Sequence, residues 1–106
     1  MRSFEEREKG FEAEFKRNQD LAFRVTARRN RLFGMWVAEQ LGLPADQAEP
    51  YARTVVEADF EKPGDSDVIE KVQKDLAAKG ISMTEPQLRA ELERAATEAK
   101  RQLMEK

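Results

Sequence analysis

Residues 21–44 read LAFRVTARRNRLFGMWVAEQLGLP, and this stretch decides the fold. At about 100° per residue, Leu21, Ala22, Val25, Leu32, Phe33, Trp36 and Leu41 gather on one broad side of a helix, enough apolar mass to face a core. The helix is expected to stop after Leu41, because Gly42 suits a left-handed cap and Leu43, ahead of Pro44, is pushed out of helical geometry. Upstream the same phase continues through Phe4, Phe11 and Phe15, but nearly everything around them is Glu, Lys or Arg. A stripe this thin offsets too little ordering entropy to build a core, and it suits docking in another protein's groove. Gly10 weakens it further, since a mid-helix Gly costs about 1 kcal/mol relative to Ala. The boundary is therefore expected near residues 18–20. Residues 1–19 are read as an amphipathic arm, mobile, disordered or fraying when free, and residues 20–106 as the folded domain.

Downstream, three more helices are expected. Asp46 is a plausible N-cap, with Pro50 tolerated in the first turn, and Tyr51, Val55, Val56 and Phe60 form an apolar side closed by Pro63 and Gly64. Gly64, Asp65 or Ser66 caps the next helix, whose apolar set is Val68, Ile69, Val72, Leu76 and Ala77 and whose stop signal is Gly80 after Lys79. Thr84 and Gln87 have the spacing of a capping box, with Pro86 early in a last helix carrying Leu88, Leu92, Ala95, Ala96, Ala99 and Leu103. Four helices joined by short loops make an all-α protein, a small four-helix bundle with an N-terminal amphipathic segment.

Composition narrows the chemistry. The 106 residues contain no Cys and no His, which removes disulfides, thiol nucleophiles, zinc fingers and imidazole bases. Charge is abundant but balanced, with 19 basic and 21 acidic residues, so no global basic field draws nucleic acid. No apolar run is long enough to span a bilayer or to serve as the core of a secretion signal, so a soluble, unexported protein is expected. A membrane-surface role for the arm is disfavoured by its equal share of acids, and a protein groove of mixed charge suits it better.

The most conspicuous cluster is Arg24, Arg28, Arg29 and Arg31. Arg24, Arg28 and Arg31 share a helix face suited to phosphates, as in ADP or ATP binding, or to the carboxylates of a protein partner. The plainer and preferred alternative is a solvated face with salt bridges inside the bundle. Arg29 falls instead within the apolar arc and needs a partner, Asp59 or Glu57. The arm's Glu5, Glu6, Glu8, Glu12 and Glu14 alternate with cations and have no rigid pocket, so they make neither catalytic pairs nor a cation site. The acidic loop from Asp59 to Asp67 lacks calcium-loop spacing and is read as helix caps. Trp36 and Tyr51 are read as core. No metal and no catalytic residue is expected, and the protein is read as a non-enzyme.

The block ARRNRLFGMW, Ala27–Trp36, continuing through Leu41 and Gly42, resembles the most recognisable block of the zeta inhibitor subunit of alphaproteobacterial F-type ATP synthases. YARTVVEADF, Tyr51–Phe60, followed by Pro63, Gly64 and Asp67-Val68, has that family's order and spacing, and Phe4, Arg7, Glu8, Glu12 and Phe15 match its inhibitory segment. The resemblance weakens after about Gly80. It implies a four-helix bundle whose mobile N-terminal arm inserts as a helix at a catalytic interface between alpha and beta subunits, near the rotor gamma subunit. There it blocks rotation in the hydrolytic direction and affects synthesis much less. The segment would play the part of the mitochondrial ATPase inhibitor protein without sharing its fold. Under that resemblance Phe4, Phe11 and Phe15 anchor in an apolar groove, while Arg7, Glu8 and Glu12 pair with subunit charges and fix register. The expected protein is a cytoplasmic monomer, peripheral to the inner membrane through the synthase, with no cofactor required. The rivals are an adenine-nucleotide-sensing bundle and a helical adaptor that dimerises through the Phe stripe.

Overall fold

The computed structural model describes the backbone of residues 2–61 and 64–104, and the side chains of residues 19–59 and 64–104. The candidate contacts Phe4, Arg7, Glu8, Phe11, Glu12 and Phe15 lie outside the residues whose side chains are described, as do Phe60 and Pro63. Four helices follow one another: α1 (Arg2–Gln40), α2 (Ala45–Glu61), α3 (Asp65–Ala78) and α4 (Glu85–Met104). No strand occurs among the described residues, and the fold is an all-α four-helix bundle.

Glycine ends two of the helices in the same way. At the end of α1 the Leu43 N–H donates to the Ala38 carbonyl (3.0 Å) and the Gly42 N–H to the Glu39 carbonyl (3.1 Å), with Gly42 at φ 72°. At the end of α3, Ile81 donates to Leu76 (2.9 Å) and Gly80 to Ala77 (2.9 Å), with Gly80 at φ 77°. Both are Schellman motifs, which supply donors to carbonyls the helix leaves unpaired. The expected capping box forms as well: the Thr84 N–H donates to Gln87 Oε1 (3.0 Å) and the Gln87 N–H to Thr84 Oγ1 (3.3 Å).

The start of α2 differs from expectation. The Gln47 and Ala48 N–H groups both donate to the Pro44 carbonyl, at 2.9 and 3.0 Å. The helix therefore begins at Ala45, Asp46 sits inside its first turn, and Pro50 falls in the second turn rather than the first. Pro50 lacks the N–H that would reach the Asp46 carbonyl, so one rung of the helix is lost there. Of the three candidate caps for α3, Gly64 occupies the position and contributes no side-chain bond. Asp65 is left free for another task.

The core is built from Phe33 and Val37 of α1, Val55 of α2, Val68, Ile69, Val72 and Leu76 of α3, and Leu88 and Leu92 of α4. The buried side of α1 is wider than its expected stripe, because α1 packs chiefly against α2 on one flank and α4 on the other. Val37 and Ala38 are fully buried, whereas Leu32, Val25 and Trp36 are half-buried and Ala22 is exposed. Trp36 stacks on Phe33 with ring centroids 6.1 Å apart. Tyr51, also half-buried, donates its hydroxyl to Asp75 Oδ2 at 2.7 Å. Burial, followed by that bond to an anion, pushes the Tyr51 phenol well above its usual range. α1 and α2 come close together at Gly34, where a Cβ would lie 2.7 Å from Ala52 Cα. Only a residue without a side chain lets the two backbones approach so closely.

Candidate partner-docking site

With 39 residues α1 is about twice as long as α2 (17) or α4 (20), so neither neighbour can cover it. At 1.5 Å per residue α1 spans about 58 Å, in keeping with a molecule whose longest dimension is 66 Å. The overhang is the N-terminal half. Because α1 is one uninterrupted helix, positions 4, 11 and 15 keep the register they have relative to Ala22, Thr26 and Arg29, all within an arc of about 60°. The aromatic positions of the arm thus lie in line with a definite part of the bundle.

That part is an open mouth with two clefts. One, of about 500 Å³, lies between α1 and the α2–α3 junction and is lined by Ala22, Phe23, Thr26, Val56, Asp59 and Asp65 among others. The other, also about 500 Å³, lies between α1 and the end of α4 and is lined by Leu21, Ala22, Val25, Ala96, Lys100 and Met104 among others. Ala22, Thr26 and Arg29 form the ridge common to both. Phe23 is 57% exposed and Met104 73%, the large apolar side chains most open to water among the described residues.

Arg29 closes the floor of the mouth. Its side chain is only 14% exposed, and Nη2 lies 3.0 Å from Asp65 Oδ1. Nε and Nη2 also donate to Asn30 Oδ1, at 3.1 and 3.0 Å. The expectation that Arg29 is paired holds, but the partner is Asp65 rather than Asp59 or Glu57. Asp65 is brought there by the turn that starts α3, a long-range placement that no local spacing encodes. Asn30, 1% exposed and the buried polar residue of the core, was not foreseen either. The available signal was a polar residue between Arg29 and Phe33 on the apolar arc.

The candidate arginines lie on one face of α1 but turn to different neighbours. Arg28 Nη1 donates to Gln102 Oε1 of α4 at 2.9 Å. Arg31 pairs with Glu49 of α2, and that bond holds the Glu49 carboxyl below its ordinary range. Arg24 is exposed and makes no ion pair or hydrogen bond with another described residue. Beyond Gln102 the network continues: Gln102 Nε2 donates to Glu98 Oε1 at 3.2 Å and Arg101 Nε to Glu98 Oε2 at 2.9 Å. Among the described residues no group of three or more Asp or Glu is placed to hold a metal ion, and no helix is long and apolar enough to cross a membrane.

These features define a class: a small all-helical bundle whose first helix overruns its neighbours, with an open mouth beside the start of the overhang. The family model of ATPase inhibitor subunit zeta matches residues 1–102, and the chain belongs to that family. A solved chain, described as a solution NMR structure, is 49% identical to it, with a TM-score of 0.68 over 77% of this chain and 93% of that one. No match was found among curated proteins.

Proposed function

We propose that this protein inhibits ATP hydrolysis by the F-type ATP synthase by inserting residues 1–19 as a helix at a catalytic interface between alpha and beta subunits, near the gamma rotor. The carrying observation is the overhang: α1 runs from Arg2 into the bundle as one helix, so an arm that is helical at its target continues directly into a body that stays outside. Phe4, Phe11 and Phe15 would enter an apolar groove, and Arg7, Glu8 and Glu12 would set the register against subunit charges. The bundle, residues 20–106, performs no chemistry; it is the handle that stops the wedge from passing through. Such a protein works as a cytoplasmic monomer held at the membrane by the synthase. Adenine-nucleotide binding at Arg24, Arg28 and Arg31 has less behind it, because Arg28 and Arg31 are committed to Gln102 and Glu49.

ATP hydrolysis by the isolated catalytic sector of a related synthase tests the proposal, with the full chain and with residues 1–18 removed. The full chain should inhibit and the shortened one should not, with circular dichroism showing the shortened chain still helical. Equal inhibition by both, or by neither, rejects the insertion mechanism.

A further inference from the structure

We infer that the mouth of the bundle is a second contact for the same protein partner that takes the arm, and that it receives an apolar side chain of that partner flanked by carboxylates. The inference rests on the docking role of the arm. Three observations lead to it. Positions 4, 11 and 15 share their helical arc with Ala22, Thr26 and Arg29, so a partner element lying over the aromatic face and running along α1 enters the mouth directly. The cleft on the α4 side is walled by Leu21, Val25, Ala96 and Met104, and Met104 is 73% exposed. The basic groups at that cleft are Arg29 on α1, held by Asp65, and Lys100 on α4, which makes no ion pair with another described residue. A pocket of apolar wall and basic rim is matched by an apolar knob with acidic neighbours.

The floor of the mouth gives this contact a specific job. Arg29, bonded to Asp65 and Asn30, stops anything that advances along α1. The partner element comes to rest against that floor, and the depth of the arm in its groove is fixed from the bundle side. Phase alone leaves the arm free to slide by a turn, whereas an end stop does not.

The test uses the full chain and the isolated catalytic sector of a related synthase. Met104→Glu and Lys100→Glu should each weaken inhibition about tenfold, the loss expected for one rim or anchor contact, without moving the melting temperature. Met104→Leu and Lys100→Arg should inhibit like the parent. If Met104→Glu lowers the melting temperature, Lys100→Glu, on an exposed side chain, still decides. Parent-like inhibition by Lys100→Glu and by a folded Met104→Glu, alongside weakened inhibition by Phe11→Ala and Phe15→Ala, overturns the mouth contact and leaves the arm's role standing. Parent-like inhibition by the two Phe variants would instead reject the arm's role itself. Sedimentation of the free chain supplies a last check: a dimer dispersed by Met104→Glu would assign the mouth to a second copy and overturn the inference.

Discussion

From Asn30 to Gln40, one side of α1 is covered by its neighbours: Phe33, Val37 and Ala38 are fully buried, and Gly34 lies against the α2 backbone. From Gln19 to Thr26 the same helix is exposed or half-buried, though it carries Leu21, Phe23 and Val25. The helical phase does not change between the two ends, so pattern alone does not decide which end becomes core. Length does. The partner helices span 14 to 20 residues against 39 in α1, and at residues 19–26, near the limit of their reach, the apolar side chains Leu21, Phe23 and Val25 are left exposed or half-buried. The overhang arises here from a core helix that is longer than the helices packed against it.

The strongest way to break the comparison is to truncate one aromatic at each end. Phe33→Ala empties a fully buried site and should cost about 3–5 kcal/mol in urea unfolding, whereas Phe15→Ala should fall within about 0.5 kcal/mol of the parent. A loss at Phe15 approaching that at Phe33 would mean the arm packs on the bundle, and the distinction between the ends would fail.

Glycine offers a subtler contrast. Gly34→Ala puts a methyl 2.7 Å from Ala52 Cα, and the backbones must part. It should destabilise by about 1–3 kcal/mol, as overpacked cores do, even though Ala is the better helix former. Gly10→Ala should show only the gain in helix propensity, about 1 kcal/mol, and a rise in helicity by circular dichroism. Opposite signs from one substitution would sharpen the comparison; equal signs would undo it.

The border between the ends is marked by Arg29. Asp65→Asn leaves the guanidinium with Asn30 alone and should cost about 1.5 kcal/mol, the low end of the range for a hydrogen bond to a charged group, because the Asp65 side chain is 45% exposed. Part of that loss is Asp65's favourable place in the first turn of α3. A double-mutant cycle with Arg29→Met separates the two contributions, and a coupling near zero would show the pair to be incidental.

Much of this was legible in the sequence, for identifiable reasons. Gly42, Gly80 and the Thr84–Gln87 box act through atoms a few residues away, so their spacing in the chain is their geometry in space. The length of α1 beyond its dense apolar region was likewise visible as a change in composition near residue 20. The start of α2 was misplaced because the Pro44 carbonyl, not a side chain, caps the helix. Arg29 was seen to need a partner, yet Asp65 reaches it only after two turns of the chain have been placed. Gly34 and Asn30 carry no signal of their own in the sequence, because a small or polar residue inside an apolar run looks like a lapse in the pattern. Each instead marks a close contact, one between backbones and one between buried polar groups. The mouth was missed because Phe23 and Met104 lie off the main stripes and matter only once α2 and α4 are seen to end beside them.

The smallest predicted effect probes how firmly α4 holds the border. Hydrogen bonds from Arg101, then from Gln102, hold the Glu98 carboxyl down from 4.5 to about 2. Gln102 is itself tied to α1 through Arg28. A depressed folded pKa contributes stability that is fully present above the unfolded value and is lost as pH falls toward the folded one. The contribution of Glu98 should therefore be constant above about pH 5 and fade between there and pH 2. Glu98 is solvated, so the change in melting temperature will be small, and carboxyl NMR is the better readout. The parent should titrate near 2, and Arg101→Ala should bring the midpoint back toward the ordinary range. Arg28→Met should raise it slightly, because Gln102 then loses its anchor on α1. A parent midpoint already at the ordinary value would mean that α4 is loose over its last turn, and the border between the buried and overhanging parts of α1 would move inward past Arg29.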